Sequence, residues 1–162
     1  MTNYENLLDV ADSEDVSVSI TPHFSGTRIK GLYIDQHIAL NTDLNTTAER
    51  ACVLAEELGH HFTTYGIILE QAKSSENRKQ ELRARLYGYN ELIGIYGIVS
   101  AYKAGCRNLY EMAEHLEVTE GYLKEALDAY RSKYGVYTKV DNYVIYFEPN
   151  LCVLELTQET YL

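Results

Sequence analysis

Apolar and polar positions along the chain change period several times, and each change marks a predicted element. Leu7, Leu8 and Val10 within residues 1–12 predict a short helix, and Val16-Ser17-Val18-Ser19-Ile20 alternates as a strand does. Ile29-Lys30-Gly31-Leu32-Tyr33-Ile34 and His37-Ile38-Ala39-Leu40-Asn41 flank Asp35-Gln36, the pattern of two strands joined by a tight turn. Helical spacing then takes over. Thr46-Thr47-Ala48-Glu49 has the form of a capping box. After it, Ala51, Val53, Leu54, Ala55 and Leu58 make a continuous apolar face, so a largely buried helix is expected to run to about Thr64. A second, longer helix is predicted from about Glu76 to Tyr102, with Gly88, Gly94 and Gly97 as its weak points.

Beyond it, Asn108–Tyr134 has the outline of a helix-turn-helix. Ala113 sits inside the first helix, Val118-Thr119 at the turn, and Leu123 and Leu127 on the packed side of the second. His115 reads there as a surface or interhelix residue. The tail predicts two strands, Tyr143–Pro149 and Leu151–Leu156, joined by a turn at Pro149-Asn150. They form either a hairpin on the core or a pairing edge for another chain. The class is α+β. The expected organisation is a core over residues 1–105, with the helix-turn-helix-like helices and C-terminal hairpin of 106–162 packed onto it as one unit.

Composition narrows the function. The chain has 162 residues, enough for one substantial core. Its net charge is −10, with 24 acids against 14 bases, which opposes a phosphate-binding surface. The helix-turn-helix-like segment repeats the argument locally, with four bases (Arg107, Lys124, Arg131, Lys133) against six acids. Direct DNA binding is not expected there, and a packing or partner-recognition role fits better. No apolar run approaches a membrane span and no basic, apolar leader follows Met1, so a cytoplasmic protein is expected. Cys52, Cys106 and Cys152 lack CxxC spacing and read as reduced, mostly buried thiols. Oligomeric state is not written in the sequence.

The chemistry concentrates in Ala55-Glu56-Glu57-Leu58-Gly59-His60-His61. In an HExxH helix the two histidines at i and i+4 hold a metal, and the intervening Glu acts on water held by the ion. Here Glu56 stands at the first position, Glu57 at the base position and His60 at the second. Residues 56 and 60 differ by about 40° around a helix and one turn along it, so both reach one ion. A carboxylate oxygen binds zinc at about 2.0–2.2 Å, nearly the distance of an imidazole nitrogen, so the coordination number survives. The extra negative charge favours Mn²⁺ or Mg²⁺ more than two histidines would, and makes bound water less acidic. Pairing Glu57 with His61 instead would put Leu58 at the base position. Alone, these seven residues read as a solvated polar face. Their place in a helix with a buried apolar face argues for partners, and an ion satisfies several at once.

A catalytic zinc takes three protein ligands and one open position. Glu76, Glu81 and Glu91 on the following helix are comparable by spacing alone.

A resemblance separates them. Gly31-Leu32-Tyr33, the strand His37–Asn41, Ala48-Glu49, Val53–His61 and Glu81-Leu82-Arg83-Ala84 together resemble the ImmA/IrrE family of metallo-endopeptidases, over roughly residues 28–135. The resemblance implies a zincin-like fold: a small sheet beside a motif helix and a ligand helix. It implies Glu81 of a Glu-x-x-Ala pattern as third ligand to Zn²⁺, with Mn²⁺ as the other metal considered, and Glu57 as general base. It also implies an extended substrate paired along the strand His37–Asn41, near Ala39 and Leu40, with His61 as a supporting residue. The implied partner is a helix-turn-helix repressor of a phage or mobile element, cut to release transcription. Because Glu56 replaces a histidine, an inert antirepressor that binds its partner without cutting is the alternative.

Overall fold

The computed structural model describes residues 1–63 and 74–157, with side chains in the second stretch from Asn77 onward. The class is mixed α+β. The chain gathers into two compact units, Met1–Leu92 and Ile93–Leu162.

The first unit opens with helix α1, Asn3–Ser13, whose Thr2 and Glu5 form both arms of a capping box. Strand β1, Ser17–Thr21, follows, then a single 3₁₀ turn at Pro22–Phe24, β2 at Gly31–Ile34 and β3 at His37–Asn41. The tight turn is where the alternation put it. Asp35 and Gln36 both take the left-handed conformation (φ 46° and 66°), the signature of a two-residue hairpin turn that follows strand twist. β1 pairs parallel to β3 from the other side, giving the order β1-β3-β2. Asn41, almost fully buried, holds the preceding loop. Its Nδ2 donates to the Phe24 and Ile29 carbonyls and its Oδ1 accepts from the Asp43 N–H.

This topology corrects one expectation. β3 is the central strand, with both edges occupied by β1 and β2, so no peptide can add to it, and the Leu40 side chain is completely buried.

Helix α2, Thr47–Thr63, begins as its capping residues require: Thr46 accepts from the Glu49 N–H. The Glu49 carboxylate reaches back to the Asn45 N–H, one residue further than the usual box. Ala51, Leu54, Ala55 and Leu58 of the predicted apolar face are completely buried, and Val53 of the same face is half-buried. The expected end at Thr64 lies just outside the described residues. Helix α3, Ser74–Leu92, packs on α2.

The long second helix is in fact two. Gly94 adopts φ +63°, which residues with a Cβ rarely take, and its N–H donates to the Tyr130 hydroxyl. Helix α4, Gly94–Lys103, starts there and belongs to the second unit, although the sequence grouped it with the residues before. Gly88 and Gly97 stay inside helices.

The second unit continues with α5, Leu109–Leu116, and α6, Glu120–Tyr134. Asn108 and Thr119 cap their N-termini, and Glu117 in the left-handed conformation ends α5, so the helix-turn-helix outline is present. His115 joins α5 to α4 through the Ser100 hydroxyl at 2.9 Å. Lys124 and Arg131 on α6 are paired with Glu120 and Asp128 of the same helix. A meander of β4 (Tyr137–Val140), β5 (Tyr143–Tyr146) and β6 (Cys152–Glu155) closes the unit. The sequence pattern predicts β5 and β6 alone; β4 is an additional strand, joined to β5 through Asp141-Asn142, where Asp141 takes φ 51°. The thiols also differ from expectation. All three are free, but Cys52 alone is buried, Cys106 is half-buried and Cys152 is exposed. No described helix is long and apolar enough to cross a membrane.

α2 and α3 meet without side-chain spacers. A Cβ added to Gly59 would lie 2.2 Å from the Ala84 carbonyl oxygen and 2.8 Å from its carbon, so the backbones touch. Gly59→Ala is therefore expected to destabilise the protein by about 3 kcal/mol, the upper range for overpacking. Gly121→Ala, in open space on α6, should be neutral or mildly stabilising. Chemical denaturation of the two variants checks this, and equal midpoints would refute the close contact.

Candidate metal centre

The Gly59–Ala84 contact sets which residues face each other across the helix pair. His60 follows Gly59 on α2. Glu81 lies three residues before Ala84 on α3, and Arg85 directly after it. Glu81 Oε2 comes within 3.6 Å of His60 Nε2, and Arg85 Nε within 3.5 Å of Glu56 Oε1. One ligand atom each from Glu56, His60 and Glu81 lie within 4.8 Å of one another. Around a tetrahedral ion with bonds of about 2.0–2.2 Å, donor atoms stand roughly 3.4 Å apart. The His60–Glu81 approach already has that spacing, and small rotations of a half-exposed Glu81 side chain and a one-third-exposed Glu56 side chain close the rest. One imidazole nitrogen and two carboxylate oxygens are donors that suit zinc and, with their oxygen character, manganese.

Of the three acids that are equivalent by spacing on the second helix, Glu81 joins this cluster. Glu91 lies ten residues, about 15 Å, further along α3 and pairs with Tyr87. The side chain of Glu76 lies outside the described residues.

Glu57 sits apart from the three, buried under β2. A Cβ on Gly31 would stand 3.2 Å from Glu57 Oε1 and 2.6 Å from Val53 Cγ1, so glycine is what lets β2 lie this close to α2. Burial pushes the Glu57 carboxyl up to about 8; the charges of Glu56 and Glu81 add to the rise, and the Tyr33 backbone N–H opposes it by hydrogen bonding the carboxylate. That N–H is free for Glu57 because of strand register. The Asn41 N–H donates to Lys30, so residues 30, 32 and 34 face β3 while Gly31 and Tyr33 turn their backbone groups to the open edge. Sequence reasoning named neither Tyr33 nor Arg85 as site residues. The i,i+4 spacing from Glu81 to Arg85 was a legible signal for the second, whereas the first depends on register.

His61 points away from the cluster, as its 100° offset requires. Its Nδ1 lies 2.8 Å from the Tyr33 hydroxyl and its Nε2 3.2 Å from Glu14 Oε2. Glu14 can only accept, so Nε2 carries a proton toward it, while the Tyr33 hydroxyl facing Nδ1 also donates to Gln36 Oε1 at 3.1 Å. His61 thereby ties α1, α2 and β2 together beside Glu57. Ala39 and Leu40, the expected substrate contacts, lie on the central strand β3.

Compared with family models, curated proteins and solved structures, the chain finds no match.

The buried carboxyl carries a stability signature. Its folded value, about 8, stands above the ordinary 4.5, so between those pH values the folded protein keeps a proton that the unfolded chain has lost. That contribution is fully present below pH 4.5 and is lost as pH rises through 8. Glu57→Gln, isosteric with the protonated acid, should match the wild type at pH 5 in chelator-treated protein. At pH 9 it should exceed it by several kcal/mol, since every tenfold difference in proton affinity between the folded and unfolded states is worth about 1.4 kcal/mol. Thermal melts across this range test it, and parallel pH profiles would show that Glu57 is not held protonated.

Proposed function

We propose that the chain is a metal-dependent endopeptidase with a zincin-like first unit. The observation that carries this reading is the convergence of Glu56, His60 and Glu81 beside a buried carboxyl, Glu57, on the same helix turn. Glu56, His60 and Glu81 would hold the ion, with zinc favoured by the tetrahedral spacing and manganese admitted by the two carboxylates. When bound, the ion supplies Lewis acidity to a scissile carbonyl and to a water molecule.

The chain's own groups supply the rest. Glu57 is the general base, accepting a proton from the attacking water at a carboxylate oxygen and returning it to the leaving amine. A cation in the cluster offsets the charges of Glu56 and Glu81 that raise Glu57, moving it down from about 8 toward the neutral range where a base is effective. The Tyr33 N–H orients the carboxylate, and its burial keeps bulk water from competing. An extended peptide is placed on the outward edge of β2 rather than on β3, because that edge runs beside Glu57 and turns the backbone groups of Gly31 outward. The resemblance to ImmA/IrrE peptidases supports a helix-turn-helix repressor as the protein cut. The acid-paired bases of α6 support protein rather than DNA as the partner of this chain.

Elemental analysis of protein purified without chelator tests the centre. Near-stoichiometric zinc or manganese is expected, lost in Glu56→Ala, His60→Ala and Glu81→Ala but kept in Glu57→Gln. On a quenched-fluorescent peptide library, Glu57→Gln should cut at least about 100-fold more slowly, the lower bound for losing a general base. Metal-free protein after incubation with both ions would sink the peptidase reading and favour an inert binder.

A further inference from the structure

The proposed centre has a charge problem of its own. Glu56 and Glu81 converge on His60, and the charge of each also raises the buried Glu57 beside them. A divalent ion together with two carboxylates and one neutral imidazole carries no net charge, whereas with two imidazoles and one carboxylate the sum would be +1. The difference is the negative charge of Glu56. A cation stands against that carboxylate: Arg85 Nε lies 3.5 Å from Glu56 Oε1.

The placement is fixed by backbone. Arg85 follows Ala84, whose carbonyl abuts Gly59, and it shares a face of α3 with Glu81 one turn earlier. The same helix contact therefore delivers Glu81 to His60 and Arg85 to Glu56. An ordinary surface pair contributes little to stability, typically about 0–1 kcal/mol, and Arg85 is half-exposed. Its position beside one ligand oxygen gives it a different use.

Resting on the metal-centre reading above, we propose that Arg85 is a positioning residue that offsets the glutamate at position 56. The guanidinium engages one oxygen of the Glu56 carboxylate and leaves the other for the ion, so Glu56 binds through a single oxygen in a fixed orientation. Sharing the charge with arginine makes that oxygen a weaker, less anionic donor. The site then behaves more like one with a second histidine and keeps zinc ahead of the harder manganese. The role belongs to the pair, since a histidine at position 56 has no charge to offset.

The test is a double-mutant cycle on metal preference in the full chain, with Zn²⁺ and Mn²⁺ affinities measured by competition with a chromophoric chelator. Arg85→Met should lower the zinc-over-manganese preference about tenfold, the scale seen when partners of metal ligands are removed. Arg85→Gln should do the same, and Arg85→Lys should restore most of the preference. In a Glu56→His background, Arg85→Met should change the preference less than about twofold, because the coupling is then absent. An equal shift in both backgrounds, or none in either, would overturn the role of Arg85 while leaving the metal centre standing. Failure of the wild type to bind either ion would overturn both.

Discussion

The cluster of the first unit follows from how closely two helices approach. At Gly59 and Ala84, α2 and α3 touch backbone to backbone, with no room for a Cβ. Side chains flanking such a contact have little choice of neighbour. His60 and Glu56 on one helix must meet Glu81 and Arg85 on the other, and they do so at 3.5–3.6 Å. Helices spaced by ordinary side chains lie about 8–10 Å apart, far enough for these groups to turn to solvent instead. A glycine in mid-helix costs roughly 0.5–1 kcal/mol against alanine. Here that cost is exchanged for a fixed geometry among four ionisable groups.

A second close approach, between β2 and α2, works in the same way. Gly31 lets β2 settle onto α2 above Glu57, and strand register turns the Tyr33 N–H onto the carboxylate. Burying an acid beside two others is expensive. A rise from 4.5 to about 8 corresponds to several kcal/mol against the charged form. A helix built for stability alone would carry an apolar residue at this position. A cation held in the proposed centre would offset that repulsion.

Much of this was legible in the sequence, and the reason is local. Capping at Thr46-Glu49, the Asp35-Gln36 turn and the apolar face of α2 are encoded within a few residues, and each is found where the pattern put it. The i,i+4 relation of Glu56 and His60 is likewise a property of one helix. What was missed is non-local or depends on hidden contacts. Strand order placed β3 in the middle because β1 pairs with it across the intervening β2, which no periodicity reports. The division of the predicted long helix at Gly94, rather than at Gly88 or Gly97, depends on Tyr130, 36 residues away, being there to accept the freed N–H.

The third acid of the cluster shows where sequence ends and packing begins. Glu76, Glu81 and Glu91 are equivalent as helix residues, and spacing from His60 did not rank them. Glycine at 59 ranks Glu81 above Glu91. A helix can approach this closely only where its neighbour presents a small residue, and Ala84 is the residue presented. With Ala84 fixed against Gly59, the residue one turn back on the same face reaches His60, and that residue is Glu81. The Glu-x-x-Ala spacing is thus a packing relation as much as a chemical one: the alanine sets the depth at which the glutamate works. By the same logic position 85 is not an arbitrary surface site. Arg85 Nε lies 3.5 Å from Glu56 Oε1, so the helix contact that brings Glu81 to His60 also sets an arginine against the glutamate.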